Sequence, residues 1–406
     1  MDSRMYWIWL QQALPAGCRM ASELLDLFGH PKAIYEADEK ALIDAGLDKS
    51  FRRRLMDKSV DRARRILNRV LALGDWLLTP DDAMYPLTLR QMPDCPLVLY
   101  ARGELPDLDR IPAVALVGTR HVTQEGYREA YSLAAGLAAG GMVVVSGGAI
   151  GVDRAAHSGA LDVDGLTIVV LACPLTEEYP RENTDLRRRV LAQGGLLLSE
   201  FPHGEPYKCQ FPIRNRIIAG LSQAVCLGET PVRSGARITA RLAREQGSDV
   251  YALPGALAGH RNDGSHKEIQ GGATLIIRAS EVVQDYTSLF PGMLDVELAE
   301  EAQKRCEKLT IDVQHSRLKH KQSKQEKVSK AVIETKQECI APVTVCLDSA
   351  SEQAKRVYEQ LTYHPQPVDL LAQATEMTVA SLLVALTELE MIGCVENSAG
   401  QQYKRV

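Results

Sequence analysis

Met142-Val143-Val144-Val145-Ser146-Gly147-Gly148-Ala149-Ile150-Gly151-Val152-Asp153 is the stretch on which the fold turns. A run of valines ends in closely spaced glycines, and a helical pattern then continues through Leu161. An unbroken β-branched run suits a strand buried on both faces, and glycines let the backbone turn sharply into a helix. The same unit recurs on both sides. Strand-like runs are Val114–Val117, Met142–Ser146, Thr167–Ala172, Leu196–Ser199, Ala224–Leu227, Val250–Leu253 and Thr274–Ile277. Helical patterns fall between most of them, at Glu125–Ala139, Val152–Leu161, Asn183–Ala192, Ile213–Leu221 and Ile238–Glu245. This alternation predicts an α/β domain over residues 76–290, with a doubly wound parallel sheet. Ligands of such sheets bind outside the carboxyl ends of the strands.

The flanks differ in character. Residues 1–75 show helical spacing at Ala21–Phe28, Lys40–Leu47 and Arg62–Leu73, broken at Gly29-His30-Pro31 and Ala45-Gly46-Leu47. A helical domain is expected there, of the short helix–turn–helix kind that often contacts DNA backbone or other proteins, with Arg52, Arg53, Arg54, Arg62, Arg64 and Arg65 otherwise read as a solvated basic face. From Asp75 to Gly103 the chain reads as an extended lead-in along the edge of the α/β domain. Lys, Glu and Gln dominate residues 291–350, which reads as a flexible charged linker, with a solvated helical stretch as the other reading. Helical patterns return at Gln353–Leu361, Val368–Gln373 and Val379–Leu389, the last with Thr378 as N-cap. Strand-like Cys394–Glu396 and Gln402–Lys404 follow, so residues 351–406 have the winged-helix pattern. Its third helix carries no Lys or Arg to enter a major groove, which favours protein contact over base reading.

Net charge is −5 and aromatic content 5%, so a nucleic-acid partner would need a local basic site rather than a basic surface. The nine cysteines show no CxxC spacing, which favours reduced residues over disulfides or a zinc site. No apolar run is long enough for a transmembrane helix and no signal peptide is evident, so no membrane association and a cytoplasmic location are expected.

The strand-end turns carry the chemistry. Gly118-Thr119-Arg120 offers close backbone approach and phosphate donors. Ser146, Gly147 and Gly148 form a natural anion cradle before a helix. Asp153 and His157 share a helix face; without a nucleophile or metal-ligand set beside them, Asp153 reads as a brace for the loop, with His157 as its hydrogen-bond partner. Lys208 and Phe211 lead into Arg214-Asn215-Arg216, read as cations opening a helix beside an aromatic on which a base can stack. Ser234-Gly235 precedes another helix, with Ser234 as N-cap and Arg233, Arg237 and Arg241 nearby. No catalytic residue, metal site or cofactor is assigned.

In this order the turns resemble the DprA/Smf family of DNA-processing proteins. The matching text includes Ala-Leu-Val-Gly-Thr-Arg, Val-Val-Ser-Gly-Gly-Ala-Ile-Gly-Val-Asp-Arg-Ala-Ala-His, Glu-Tyr-Pro-Arg-Glu-Asn, Leu-Ser-Glu-Phe-Pro, Phe-Pro-Ile-Arg-Asn-Arg-Ile-Ile-Ala-Gly-Leu-Ser and Arg-Ser-Gly-Ala-Arg-Ile-Thr-Ala, across roughly residues 80–286. The resemblance implies an extended Rossmann-like fold flanked by an N-terminal SAM-like helical domain and a C-terminal winged helix. It implies a non-enzymatic homodimer that binds single-stranded DNA and helps load RecA during natural transformation. The family's DNA-binding positions carry over onto Arg120, Lys208, Phe211, Arg214, Asn215 and Arg216. The glycines of the second turn, with Ser234 and Gly235, line the same pocket by resemblance. The chain departs from the family pattern at Thr119, at Ala236-Arg237, at Leu227-Gly228-Glu229 and over Asn262–Lys267. The alternative is a nucleotide or phosphoribosyl hydrolase of the related LOG group, whose Pro-Gly-Gly motif is here Pro254-Gly255-Ala256.

Overall fold

The computed structural model describes residues 2–202, 207, 209–308, 350–362, 366–375, 377–392, 394–398 and 402–405. The chain divides into two compact units, Met1–Lys319 and His320–Val406.

A nine-stranded sheet forms the centre of the first unit. Its strands are β1 (Trp76–Leu78), β2 (Leu99–Gly103), β3 (Ala113–Val117), β4 (Val143–Ser146), β5 (Thr167–Leu171), β6 (Leu196–Ser199), β7 (Ala224–Leu227), β8 (Asp249–Ala252) and β9 (Thr274–Leu275). Their order across the sheet is β1-β2-β6-β5-β4-β3-β7-β8-β9. From β6 to β9 neighbouring strands are parallel, as the valine-rich runs require. Every residue of β3, β4, β5, β6 and β7 is buried, because helices cover both faces. The chain winds outward from β3 through β4 and β5 to β6, then returns to place β7 against the other side of β3. The crevice between the carboxyl ends of β3 and β7 is therefore the topological switch point, where open α/β sheets receive ligands.

The lead-in runs along the edge of the α/β domain as expected, and does so as strands of its sheet. It supplies β2, antiparallel to β6 with Tyr100 opposite Ser199 and Gly103 opposite Leu196, and β1, antiparallel to β2 at the sheet edge. The N-terminal helices do not keep a core to themselves. Trp7, Ile8 and Leu10 of helix Ser3–Ala13 join Ile66 and Val70 of helix Asp61–Leu73 in one apolar cluster with Val169, Leu171 and Leu197 of the sheet. The glycines at the expected turns, Gly29 and Gly46, both have φ +76°, which a side chain would disfavour.

The linker reading fails for its first part. Residues 296–308 are helical. Ala299 packs against Gly136 of helix Gln124–Ala139 and its C-cap Gly140, and Gln303 accepts from the Ala279 N–H at 2.7 Å and donates to the Ile277 carbonyl at 3.1 Å. The small residues allow close helix approach, a signal that the high Lys/Glu content of the segment obscures. The rest of the expected linker, 309–349, lies outside the described residues.

The second unit has the predicted order: helices Glu352–Gln360, Val368–Thr375 and Val379–Met391, with a small antiparallel sheet of β10 (Gln366–Pro367), β11 (Val395–Ser398) and β12 (Gln402–Arg405). Thr378 caps the third helix, accepting from the Ser381 N–H at 3.3 Å. Leu371, Leu382, Leu386 and Leu389 make its core. Among the described residues no single helix is long and apolar enough to cross a membrane.

Candidate nucleic-acid interface

The strand-end turns do converge at the switch point. A cavity of about 280 Å³ is lined by Gly118, Thr119 and Arg120 after β3, by Phe211, Arg214 and Asn215, and by Arg233, Ser234 and Gly235 after β7. A second cavity of about 640 Å³ adjoins it, sharing Arg120, Ala149 and Phe211 and continuing past Gly147, Tyr179 and Arg181.

Arg120 and Phe211 mark the boundary between them. The Arg120 guanidinium carbon lies 4.5 Å from the Phe211 ring centroid, a cation–π contact at an exposed site. Tyr179 leans on the same ring at a centroid distance of 5.9 Å and an interplanar angle of 52°. Backbone bonds hold the turn that carries Arg120. The Thr119 N–H donates to the Glu229 carbonyl at 2.9 Å, and the Thr119 carbonyl accepts from the Val152 N–H at 3.1 Å. The Thr119 hydroxyl accepts from His121 N–H at 3.2 Å, so it serves the turn itself.

On the opposite wall Ser234 caps helix Gly235–Glu245, accepting from the Ala236 N–H at 3.2 Å as its sequence predicts. This helix start brings its partial positive charge to the cavity. Arg233 lies exposed beside it, and Arg181 lies exposed on the far side of the second cavity. Among the described residues neither has a carboxylate partner, and neither does Arg120. These are side chains free to meet an anion.

Other expected site residues are placed differently. Helix Gln210–Gly220 starts before Pro212, which the first turn tolerates because it needs no N–H there. Arg214 and Arg216 thus sit inside the helix instead of opening it, and both are buried. Arg216 donates to both oxygens of Glu200 at 2.7 Å and lies 3.5 Å from Asp94, so its charge is spent in the core and does not face the cavity. Arg237 bonds Glu268 at 2.6 Å and the Val232 carbonyl at 3.1 Å; it braces its own helix and does not line the cavity. Arg233, four residues earlier, takes the place expected of Arg237. Its signal was in the sequence, next to the capping Ser234. Asn215 does line the cavity, and donates to the Gly235 carbonyl at 3.4 Å. Lys208 lies outside the described residues.

The glycine loop after β4 also works differently from a phosphate cradle. Arg214 Nη1 donates to the Gly147 carbonyl at 2.7 Å and to the Val170 carbonyl. A Cβ on Gly147 would lie 2.4 Å from this guanidinium, so glycine is needed to admit the arginine. The Ala149 N–H donates to Asp153 at 3.3 Å. Asn183 donates to the Gly148 and Ala149 carbonyls at 3.0 and 2.8 Å. Ser146 is buried, its hydroxyl donating to the Leu116 carbonyl at 2.7 Å. The loop is thus a rigid floor bonded to the protein's own groups, with Gly147 alone of Ser146, Gly147 and Gly148 reaching a cavity wall. Burial lifts the Asp153 carboxyl above its ordinary range, opposed first by the charge of Arg214. Burial likewise draws the Arg214 guanidinium down to about 10, with Asp153 opposing.

Asp153 braces the loop as expected, but His157 is not its partner. The His157 Nδ1 is 2.7 Å from the Thr167 hydroxyl, inside the core. Burial first, then the charges of Arg214 and Arg187, hold His157 down at about 3. The unfolded chain therefore takes up the proton first. The stability this neutral histidine permits is complete above pH 6.5 and is lost as pH falls from 6.5 towards 3. Wild type should lose stability relative to His157→Gln on this descent, shallowly near pH 6.5 and with a slope approaching about 1.4 kcal/mol per pH unit below it. Urea unfolding of both proteins at pH 7, 6 and 5 measures the difference.

Comparison with known proteins places this arrangement. The family model described as DNA recombination-mediator protein A matches residues 76–287, and the DprA winged helix domain matches residues 346–401. Protein Smf of Synechocystis sp. is 32% identical over 410 residues, covering 98% of both chains. The DNA processing protein DprA of Streptococcus pneumoniae is 40% identical over 206 residues, covering 50% of this chain and 72% of that protein. The X-ray structure of the S. pneumoniae DprA superposes with a TM-score of 0.59 at 31% identity, covering 68% of this chain and 95% of that one. The family model on the sheet that forms the cavity, and a relative matched from end to end, show that this chain belongs to the DprA/Smf family of DNA-processing, recombination-mediator proteins.

Proposed function

We propose that this protein binds single-stranded DNA without sequence preference at the switch-point cavity, protects it, and helps load the RecA recombinase on it as a homodimer. The observation that carries the reading is the Arg120–Phe211 pair, a guanidinium resting on an aromatic face between two cavities. Such a pair offers a phosphate a charge and an unstacked base a π-surface, which is how sequence-tolerant single-strand binding is built. Arg233 extends the positive charge into the smaller cavity, while in the larger one Arg181 stands among Glu177, Glu178 and Glu182. A duplex keeps its bases stacked inside, so Phe211 has nothing to gain from it. The site contains rigid donors and an aromatic, and this reading makes it a holder of the strand and not an enzyme that cuts it.

The first test is salt dependence. Fluorescence anisotropy with a labelled oligothymidylate should show affinity falling steeply as salt rises, since bound cations release counterions from the strand. Arg120→Ala should lower the logarithmic slope by about 0.7, the value of one phosphate contact on a single strand. Salt-insensitive binding, or equal affinity for duplex and single strand, would defeat the reading. The RecA step is tested separately, by whether the protein speeds RecA filament growth on single strands already coated with a single-strand-binding protein.

A further inference from the structure

Helix Asp61–Leu73 and the loops after β5 and β6 enclose a groove of about 430 Å³ that the proposed function leaves unused. Arg62, Arg65 and Arg69 line its helical wall; all are exposed. Ile66, Val70 and Leu175 make its floor. One carboxylate lines the groove, Asp75, and Arg102 already holds it through both oxygens at 2.6 and 2.7 Å. Among the described residues Arg65 and Arg69 have no carboxylate partner. The groove is thus net cationic, with its acid neutralised.

Its position is informative. The linings of the groove and of the larger cavity meet along one piece of chain, Cys173 on the cavity side and Pro174 on the groove side. Both open at the carboxyl edge of the same sheet. From β3, where Arg120 sits, to β6, where Phe201 begins the groove, is three strand spacings. That is about 14 Å at the usual 4.7–4.9 Å per strand. A linear polyanion held at Arg120 can reach this second row of cations. Glu177, Glu178 and Glu182 line the cavity between the two. They disfavour phosphates along that stretch and divide the edge into two cationic stations.

We infer that Arg65 and Arg69 form a second station for the same single strand of DNA, engaged only by strands long enough to pass beyond the Arg120–Phe211 pocket. This rests on the single-strand reading above. Single strands tolerate such spaced contacts because their backbone is flexible, and each phosphate neutralised adds to the salt slope. The sequence left this basic segment between a solvated face and a contact with DNA backbone or protein, and did not single out Arg69.

The test uses the full chain and two oligothymidylates, one of about two nucleotides, too short to cover the ~14 Å between the stations, and one of about 30, well beyond single-strand site sizes of ~4–16 per binding fold. The double variant Arg65→Gln/Arg69→Gln should bind the short oligonucleotide as wild type does. For the long one its affinity should fall about tenfold at moderate salt and its salt slope by about 1.4. Arg53→Gln/Arg54→Gln, an equal charge change on the exposed face of helix Lys49–Met56, should leave both unchanged. Unchanged long-strand affinity and slope in the Arg65/Arg69 variant would overturn the inference. So would an equal loss in the Arg53/Arg54 control, which would indicate general charge alone. Binding of a polyglutamate peptide that the Arg65/Arg69 variant loses, with DNA affinity intact, would also overturn it and assign the groove to an acidic protein segment. If wild type binds neither oligonucleotide, the underlying reading fails, a result distinct from all of these.

Discussion

Arg216→Met is expected to cost about 3–5 kcal/mol of folding stability while leaving the single-strand affinity of the folded protein within about twofold. In the sequence Arg216 looks like part of a cationic helix start. In the structure it is 1% exposed, and its Glu200 partner is 4% exposed. Methionine fills much of the same volume, so the loss comes from leaving Glu200 charged and alone in a low-dielectric core. Burial already raises the Glu200 carboxyl above its usual range, and Arg216 is the main force opposing that rise. Removing the carboxylate as well should return most of the stability, because an apolar pair of similar volume often replaces a buried ion pair at little cost. Urea unfolding of wild type, Arg216→Met and Arg216→Met/Glu200→Leu checks both steps. A stable Arg216→Met protein that has lost DNA affinity would mean that this arginine reaches the strand.

Phe211→Ala is expected to do the reverse. Phe211 is half-buried at the rim, in contact with Arg120 and Tyr179, so its loss should cost little stability. It should weaken single-strand binding by about 1–3 kcal/mol, roughly 5- to 150-fold, the worth of one base stacked on an aromatic. Phe211→Leu should recover little of this, since it restores bulk without a π-face. The salt slope should stay close to that of wild type, because no phosphate contact is removed. Arg120→Ala should change the slope, so the two substitutions separate stacking from charge. Anisotropy titrations of the variants at several salt concentrations distinguish the contributions.

These contrasting expectations show where sequence reading ends. The valine-rich strands announce the parallel sheet because a strand covered on both faces must be apolar throughout. The capping residues Ser234 and Thr378 were legible because a cap acts on its nearest backbone neighbours. The role of each arginine was not, since it depends on partners far along the chain. Arg216 meets Glu200, Arg237 meets Glu268, and Arg214 meets the carbonyls of Gly147 and Val170. Arg120 and Arg233 have no such partners among the described residues, and Phe211 meets Arg120 only because the turn after β3 lies beside the start of helix Gln210–Gly220. Likewise, the charged composition of 296–308 hid the Ala299 and Gln303 contacts that fix that helix on the domain.

The central claim is that the strand lies at the switch point, with a base against Phe211. Ultraviolet crosslinking of a bromodeoxyuridine-substituted oligonucleotide to the 406-residue chain, followed by peptide mapping, tests it most directly. The predicted result is a principal crosslink on the peptides carrying Phe211 and Tyr179, lost in Phe211→Ala. Crosslinks confined to residues 352–405, with none at Phe211 or Tyr179, would contradict it.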